Sequence, residues 1–271
     1  VSLLPEEAAV VSGLDRDGVF VSSLAALGLA DTGIIDAGSC LADILARRVA
    51  AMGDRRPATT RAPPEDLLQH PLVYRWGLND VLRRIIQAYL RVPMAYDGAM
   101  LFHTPGDRQE KGTRRWHLDR EDRRVIKVGL YLHDVDTKNG PFEILQHDLA
   151  RAGQKFRLRD YLAWDTAALE GKLGVAITAQ NTLPVTGPAG TLVFADTARL
   201  YHRGRPAEAV RSAIFFSYFS RPPRHPFFCN RSLLNRGQIL QLVQGLSPDQ
   251  RASALWLDEL PTAMRLLHPF R

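Results

Sequence analysis

Arg114-Arg115-Trp116-His117-Leu118-Asp119 stands just ahead of the most strand-like run in the chain, Arg124 to Val135. In extended backbone, residues i and i+2 point to the same face. His117 and Asp119 can therefore aim an imidazole nitrogen and a carboxylate oxygen at one point. With a second imidazole from elsewhere they would complete a two-histidine, one-carboxylate triad, a donor set suited to non-haem Fe(II). His-x-Asp alone is a common string, so its meaning turns on a partner histidine downstream.

The run behind this string alternates. Lys127, Gly129 and Tyr131 fall on one face, and Ile126, Val128, Leu130 and Leu132 on the other. Ala99 to Thr104 reads as a strand closed by Pro105-Gly106, and the charged Asp107 to Arg115 as a loop. Asn139-Gly140 is a hairpin signal that predicts a return through Phe142 to Leu145. Gly190 to Ala195 and Arg211 to Ser220 supply two further strands. Short strands separated by Gly and Pro turns predict an antiparallel barrel or jelly roll.

The first third of the chain has a different period. Leu14 to Leu24 reads as a short helix or turn leading into a strand, and Ile35 to Met52 as a helix stopped at Gly53. Arg55 to Pro64, with three prolines and three arginines, reads as a loop. Asn79 is an N-cap for a helix with Leu82, Ile85, Ile86 and Tyr89 on one face, ended by Pro93. Ser247-Pro248-Asp249-Gln250 carries a capping box that opens a C-terminal helix. The expected organisation is one domain, mainly β with flanking helices. Residues 1–95 form a helical support layer, 96–222 the jelly-roll core and 223–271 a helical extension.

The bulk numbers exclude some classes. At 271 residues, 45% hydrophobic and 24% charged, the chain is an ordinary globular one, long enough for a single large domain. The nearly uncharged run Val19 to Ala30 is too short to cross a bilayer and lacks the flank of a signal peptide. Two cysteines, Cys40 and Cys229, cannot build a disulfide framework, so a reducing, cytoplasmic setting is expected. The net charge of +6 is compatible with an anionic partner, whether nucleic acid, an acidic small molecule or a carrier-bound acyl group. The arginines are scattered as pairs, however, and no nucleic-acid motif is present. A small-molecule partner is therefore preferred to nucleic acid, and the oligomeric state is left open.

Of the remaining histidines, His70, His225 and His268 stand beside prolines, His133 and His147 sit at strand ends, and His103 has no nearby carboxylate. His202 differs, because it lies between two strand-like runs in Leu200-Tyr201-His202-Arg203-Gly204-Arg205-Pro206. Arg211 follows it at the head of an apolar strand, where a guanidinium is costly to bury unless it meets an anion.

Taken together, the residues from Met100 to Tyr218 resemble the phytanoyl-CoA dioxygenase family of Fe(II)- and 2-oxoglutarate-dependent oxygenases. The resemblance rests on Trp116-His117-Leu118-Asp119, the strand Val125 to Val135 and the turn Asp136-Thr137-Lys138-Asn139-Gly140-Pro141. It continues through Gly190-Thr191-Leu192-Val193-Phe194, His202-Arg203-Gly204 and Arg211. It implies a double-stranded β-helix, a jelly-roll or cupin-like core, with Fe(II) held by His117, Asp119 and His202. Arg211 would then bind the distal carboxylate of 2-oxoglutarate. The implied reaction uses O2, releases succinate and CO2 and oxidises a C–H bond, and a carboxylate at Asp119 implies hydroxylation or another oxidative outcome such as desaturation or ring formation, rather than halogenation. Members usually carry Pro-Gly-Ser-His after the Asn-Gly turn, where this chain has Ile144-Leu145-Gln146-His147. Lys127 and Tyr131 are expected to face the cosubstrate or substrate, Gly129 to leave room there and Met100 to wall the cosubstrate pocket. Trp116 is expected to pack. A non-catalytic or hydrolytic metal-binding barrel and a nucleic-acid-directed oxygenase are the alternatives.

Overall fold

The structure is a computed structural model that describes residues 2–55, 57–146, 163–230 and 232–269; His147 lies outside them. The chain opens with α1 (Pro5–Asp17), β1 (Val19–Ser23), α2 (Ile34–Ala51), β2 (Thr60–Arg61), α3 (Pro64–Gln69), α4 (Pro71–Trp76) and α5 (Asp80–Leu90). The strands β3 (Met94–Thr104), β4 (Ile126–Tyr131) and β5 (Phe142–Leu145) follow. After them come α6 (Thr166–Leu173), β6 (Thr182–Val185), β7 (Thr191–Asp196), β8 (His202–Gly204) and β9 (Arg211–Ser220). The helices α7 (Arg236–Leu242), α8 (Pro248–Ala254) and α9 (Thr262–Leu267) complete the order.

The strands form two antiparallel sheets. The larger has the order β1-β7-β4-β9-β3-β2 and the smaller β6-β5-β8. The period-2 pattern of the strands decides which side chains face where. Ile126, Val128 and Leu130 of β4 join Ala99 and Leu101 of β3 and Ile214, Phe216 and Tyr218 of β9 in a core under the helices. That layer also buries Val10 and Leu14 of α1, Leu41 and Leu45 of α2, and Leu82, Ile85, Ile86 and Tyr89 of α5. Each such side chain contributes about 1.5–3 kcal/mol by leaving water. The opposite faces supply Met100, Tyr131, Val193, Ala195, Ala213 and Phe215, which meet Phe142 and Ile144 of β5 between the sheets. The alternation read along Lys127–Leu132 therefore separates helix-facing from sheet-facing residues as expected.

Several boundaries differ from the sequence reading. Asn139-Gly140 does not make a hairpin. β4 is paired on both sides, by β7 and β9, and offers β5 no edge, so β5 crosses to the smaller sheet and pairs β6 and β8. The turn is a short 3-10 helix, Thr137–Asn139, capped by the Asp136 carboxylate, with Gly140 at φ 64°. A Cβ at Gly140 would collide with the carbonyl of Arg205, so only glycine fits. Helix α1 begins nine residues ahead of the expected Leu14 start, at Pro5, where Pro at the first helical position stands beside Glu6 and Glu7. Arg91 in the left-handed conformation, not Pro93, ends α5, and its N–H reaches back to Gln87 O. The loop before α3 contains the two-residue β2, paired with Phe102 and His103. Strand β3 starts at Met94 and changes register between Tyr96 and Gly98. Asn79 and Ser247 cap their helices as read, accepting from Leu82 N and Gln250 N. Both cysteines are free thiols, and no described helix is long and apolar enough to cross a membrane.

Asp196, at the end of β7, is buried under α5 and accepts hydrogen bonds from Tyr89 Oη (2.7 Å) and Val125 N (3.2 Å). Burial pushes its carboxyl up to about 6. Because this folded value lies above the unfolded one, the group adds stability that is complete below about pH 4 and lost as the pH rises through about 6. Melting temperatures of the wild type and Asp196→Asn across pH 4–7 should therefore show the wild type losing ground to the variant as pH rises. Parallel curves would place the titration elsewhere.

Candidate active site

The triad is built from an irregular segment, 117–119, and from the first residue of β8, not from one strand. Trp116 and His117 sit in isolated bridges, to Trp164 and His202 respectively. The His117–His202 bridge is reciprocal, with N–H···O distances of 3.1 Å in both directions. It brings the imidazole centroids to 4.2 Å. Asp119 is held through its own N–H, which donates to Thr197 O at 2.9 Å. One donor atom from each of His117, Asp119 and His202 lies within 4.8 Å of the others. The same-face argument for positions i and i+2 thus holds, although the backbone there is only locally extended.

Both histidines are oriented in the same way. His117 Nδ1 lies 2.7 Å from Arg115 O and His202 Nδ1 lies 3.1 Å from Leu200 O, in each case the carbonyl two residues upstream. A carbonyl only accepts, so Nδ1 carries the proton and Nε2 keeps its lone pair. His202 Nε2 is buried and meets no hydrogen-bond donor among the described residues. Burial, reinforced by the His117 ring, holds His202 well below the usual imidazole range, with Asp119 opposing. A neutral imidazole with an exposed lone pair beside a second one and a carboxylate is what a divalent metal requires. The donor set therefore fits one such ion.

Lys127 and Arg211 bring positive charge to the same place. Lys127 Nζ sits 2.5 Å from Asp119 Oδ2, which in turn lies 3.7 Å from His202 Nε2. Lys127 lines the cavity, but its ammonium is engaged with a triad residue. Arg211 is buried and donates to Gly140 O, with its guanidinium lying against Gly204, where a Cβ would stand 2.6 Å from Nη2. Among the described residues it has no carboxylate partner, and burial pulls its proton affinity down. A guanidinium stays charged regardless. The sequence requirement that Arg211 should meet an anion is thus not met by the described residues.

Met100, Phe102, Phe142 and Phe215 form the apolar walls of the cavity that Lys127, His117, His202 and Arg211 face. Tyr131 is not in the lining. Its hydroxyl donates to Val185 O (2.7 Å) and accepts from Phe142 N (3.1 Å), so it braces one sheet against the other. Gly129 makes room for Phe215 rather than for a ligand, since a Cβ there would come within 3.0 Å of that ring. Trp116 is fully buried and packs, as read. A second opening on the other side of His117 and Asp119 is lined by Thr113, Leu118, Arg120, Glu121, Ala163 and Phe228.

Sequence reasoning missed the charged residues that support the triad. Arg203 spans Glu143 and Glu110, and Arg114 is wholly buried, bonded to Asp107 and to the carbonyls of Ala58, Pro105 and Gln109. Their partners lie as far as 93 positions away, and only charges adjacent to a ligand string could have pointed to them.

No protein-family model matches the chain, and no curated protein matches it in sequence. Solved structures do. The epimerase SnoN, in complex with Fe3+, alpha ketoglutarate and nogalamycin RO, is similar with a TM-score of 0.57 at 13% identity, covering 79% of this chain and 84% of that one. AviO1 from Streptomyces viridochromogenes Tue57 gives 0.53 at 21% identity over 83% and 99%. EctD from S. alaskensis, with 2-oxoglutarate and 5-hydroxyectoine, gives 0.51 at 17% over 83% of each chain. At such identities the likeness concerns the fold, and this chain shares its antiparallel sheets and flanking helices with structures that hold iron and 2-oxoglutarate.

Proposed function

We propose that the protein is an Fe(II)- and 2-oxoglutarate-dependent dioxygenase that hydroxylates an unactivated C–H bond of a small molecule. The observation that carries this reading is the pair of imidazoles with Nδ1 tied to backbone and Nε2 beside Asp119, next to a buried Arg211 that meets no carboxylate among the described residues. In this reading residues 1–271 act as one domain with a double-stranded β-helix core. His117, Asp119 and His202 hold Fe(II), Arg211 takes the distal carboxylate of 2-oxoglutarate through paired hydrogen bonds, and Met100 with Phe215 walls the chain of that acid. SnoN, HygX and EctD, similar in fold, are solved with 2-oxoglutarate or alpha ketoglutarate.

The iron, when bound, supplies O2 activation coupled to conversion of 2-oxoglutarate into succinate and CO2. The chain supplies position and exclusion of water. The aromatic wall of Phe102, Phe142 and Phe215 keeps the cavity apolar, which strengthens the pairing of Arg211 with a carboxylate. The opening lined by Leu118, Arg120 and Phe228 lies against the other side of the triad and would admit the molecule to be oxidised. The chemistry of the solved neighbours' ligands, 5-hydroxyectoine and hygromycin B among them, supports a polar small molecule of specialised biosynthesis over nucleic acid.

The test is formation of succinate from 2-oxoglutarate by protein loaded anaerobically with Fe(II) and then exposed to O2. His117→Ala and His202→Ala should each abolish both tight metal binding and succinate formation. Full turnover with either ligand removed would discard the assignment. Arg211→Ala should raise the KM for 2-oxoglutarate by at least roughly 30-fold, for a lost charge-assisted pair of about 2 kcal/mol or more, and by more than Lys127→Ala does. Lys127 has a second expected effect. Its ammonium competes with an incoming cation for Asp119, so Lys127→Met should tighten Mn(II) binding by roughly tenfold, titrated by electron paramagnetic resonance. Weaker binding in that variant would show that Lys127 supports the metal site instead of opposing it.

A further inference from the structure

We infer that Arg203 is the positioning residue of the metal site, holding the two histidine-bearing segments in register; this rests on the dioxygenase reading above. Arg203 directly follows His202 on β8. Its Nε donates to Glu143 Oε2 at 2.7 Å, on the neighbouring strand β5, where the two residues are register partners. Its Nη1 donates to Glu110 Oε1 at 2.7 Å and to Thr166 Oγ1 at 2.9 Å. Its guanidinium lies 4.2 Å over the ring of Trp116, the residue before His117. One side chain therefore touches segments around positions 110, 116, 143 and 166 while its own backbone carries the distal histidine.

The surroundings show why this contact decides geometry. The main-chain bridge between His117 and His202 is isolated, with no regular ladder on either side to keep the two segments aligned. Two hydrogen bonds can slide or twist; a planar guanidinium with fixed donor directions, stacked on an aromatic face, cannot do so without losing contacts. Glu110 also accepts from Thr166 N at 3.1 Å, so the segment that carries Trp164 is locked to the same cation. Trp164 in turn bridges Trp116 with N···O distances of 2.8 Å both ways. Glu143 is itself buried, with a side chain 5% exposed, and Arg203 is the cation that neutralises it. Loss of Arg203 would leave that carboxylate uncompensated beside β8 and release the ring of Trp116.

The experiment measures Co(II) binding, by titration and by the visible spectrum of the bound ion, in the absence of 2-oxoglutarate. The proteins are the wild type, Arg203→Ala, Arg203→Lys, Glu143→Gln and, as a control, Arg48→Ala. Arg48 pairs with Asp66 of α3, outside the site, so its loss lowers stability without touching the triad. Arg203→Ala should weaken Co(II) binding about 10- to 100-fold, the usual range for residues that orient metal ligands, and should alter the spectrum. Arg203→Lys should recover part of the loss, Glu143→Gln should show a smaller loss, and Arg48→Ala should bind like the wild type. Unchanged affinity in Arg203→Ala, or an equal loss in Arg48→Ala, would overturn the assignment. If Arg203→Ala does not fold, Glu143→Gln decides, and wild-type affinity there overturns it. A wild type that binds no Co(II) would instead remove the metal-site reading and Arg203 with it.

Discussion

The reciprocal backbone pairing of His117 with His202 is the contact on which the site depends. Each histidine sets its own tautomer locally, through the carbonyl two residues upstream. Local geometry cannot bring the two together, because 84 residues and three passages between the sheets separate them. The bridge does so, at the β8 edge of the smaller sheet. Everything else near the triad can be read as keeping that pairing in place or using the space beside it.

Charge is distributed around the bridge with unusual economy. Arg114, Lys127, Arg203 and Arg211 are all buried or nearly so, and burial of a cation is costly unless it is compensated. Arg114 meets Asp107, Arg203 meets two glutamates and Lys127 meets Asp119. Arg211 meets only the carbonyl of Gly140 among the described residues. Arg114 and Arg203 therefore belong to the framework, and Arg211 is poised for an anion that the described residues do not contribute. Lys127 lies between these cases, since its partner Asp119 belongs to the candidate triad.

The two faces of the larger sheet have different duties for a simple physical reason. The helix face must exclude water over a wide area, and it is filled by Ile, Leu, Val and aromatic residues from both layers. The face toward the smaller sheet is narrower and ends at the triad. There, polar groups are tolerated where a partner is within reach, as the Tyr131 hydroxyl is on Val185 O.

The sequence by itself determined the strand periods, the helix caps at Asn79 and Ser247 and the triad candidates, because each of these signals lies within a few residues of itself. Alternation along Lys127–Leu132 separated the two faces, and the strand-like context of His202 distinguished it from the other histidines. Only the tertiary structure decided that β5 leaves β4 for the smaller sheet, since that depends on whether β4 has a free edge, and both edges are taken by β7 and β9, drawn from more than 60 residues downstream. It also decided what each inward residue of β4 does. Lys127, Gly129 and Tyr131 share one period, yet one pairs with Asp119, one yields to Phe215 and one braces Val185. Period specifies a face, while the partner on that face comes from another part of the chain. The same holds for Arg203, whose four contacts converge from segments that no local pattern connects.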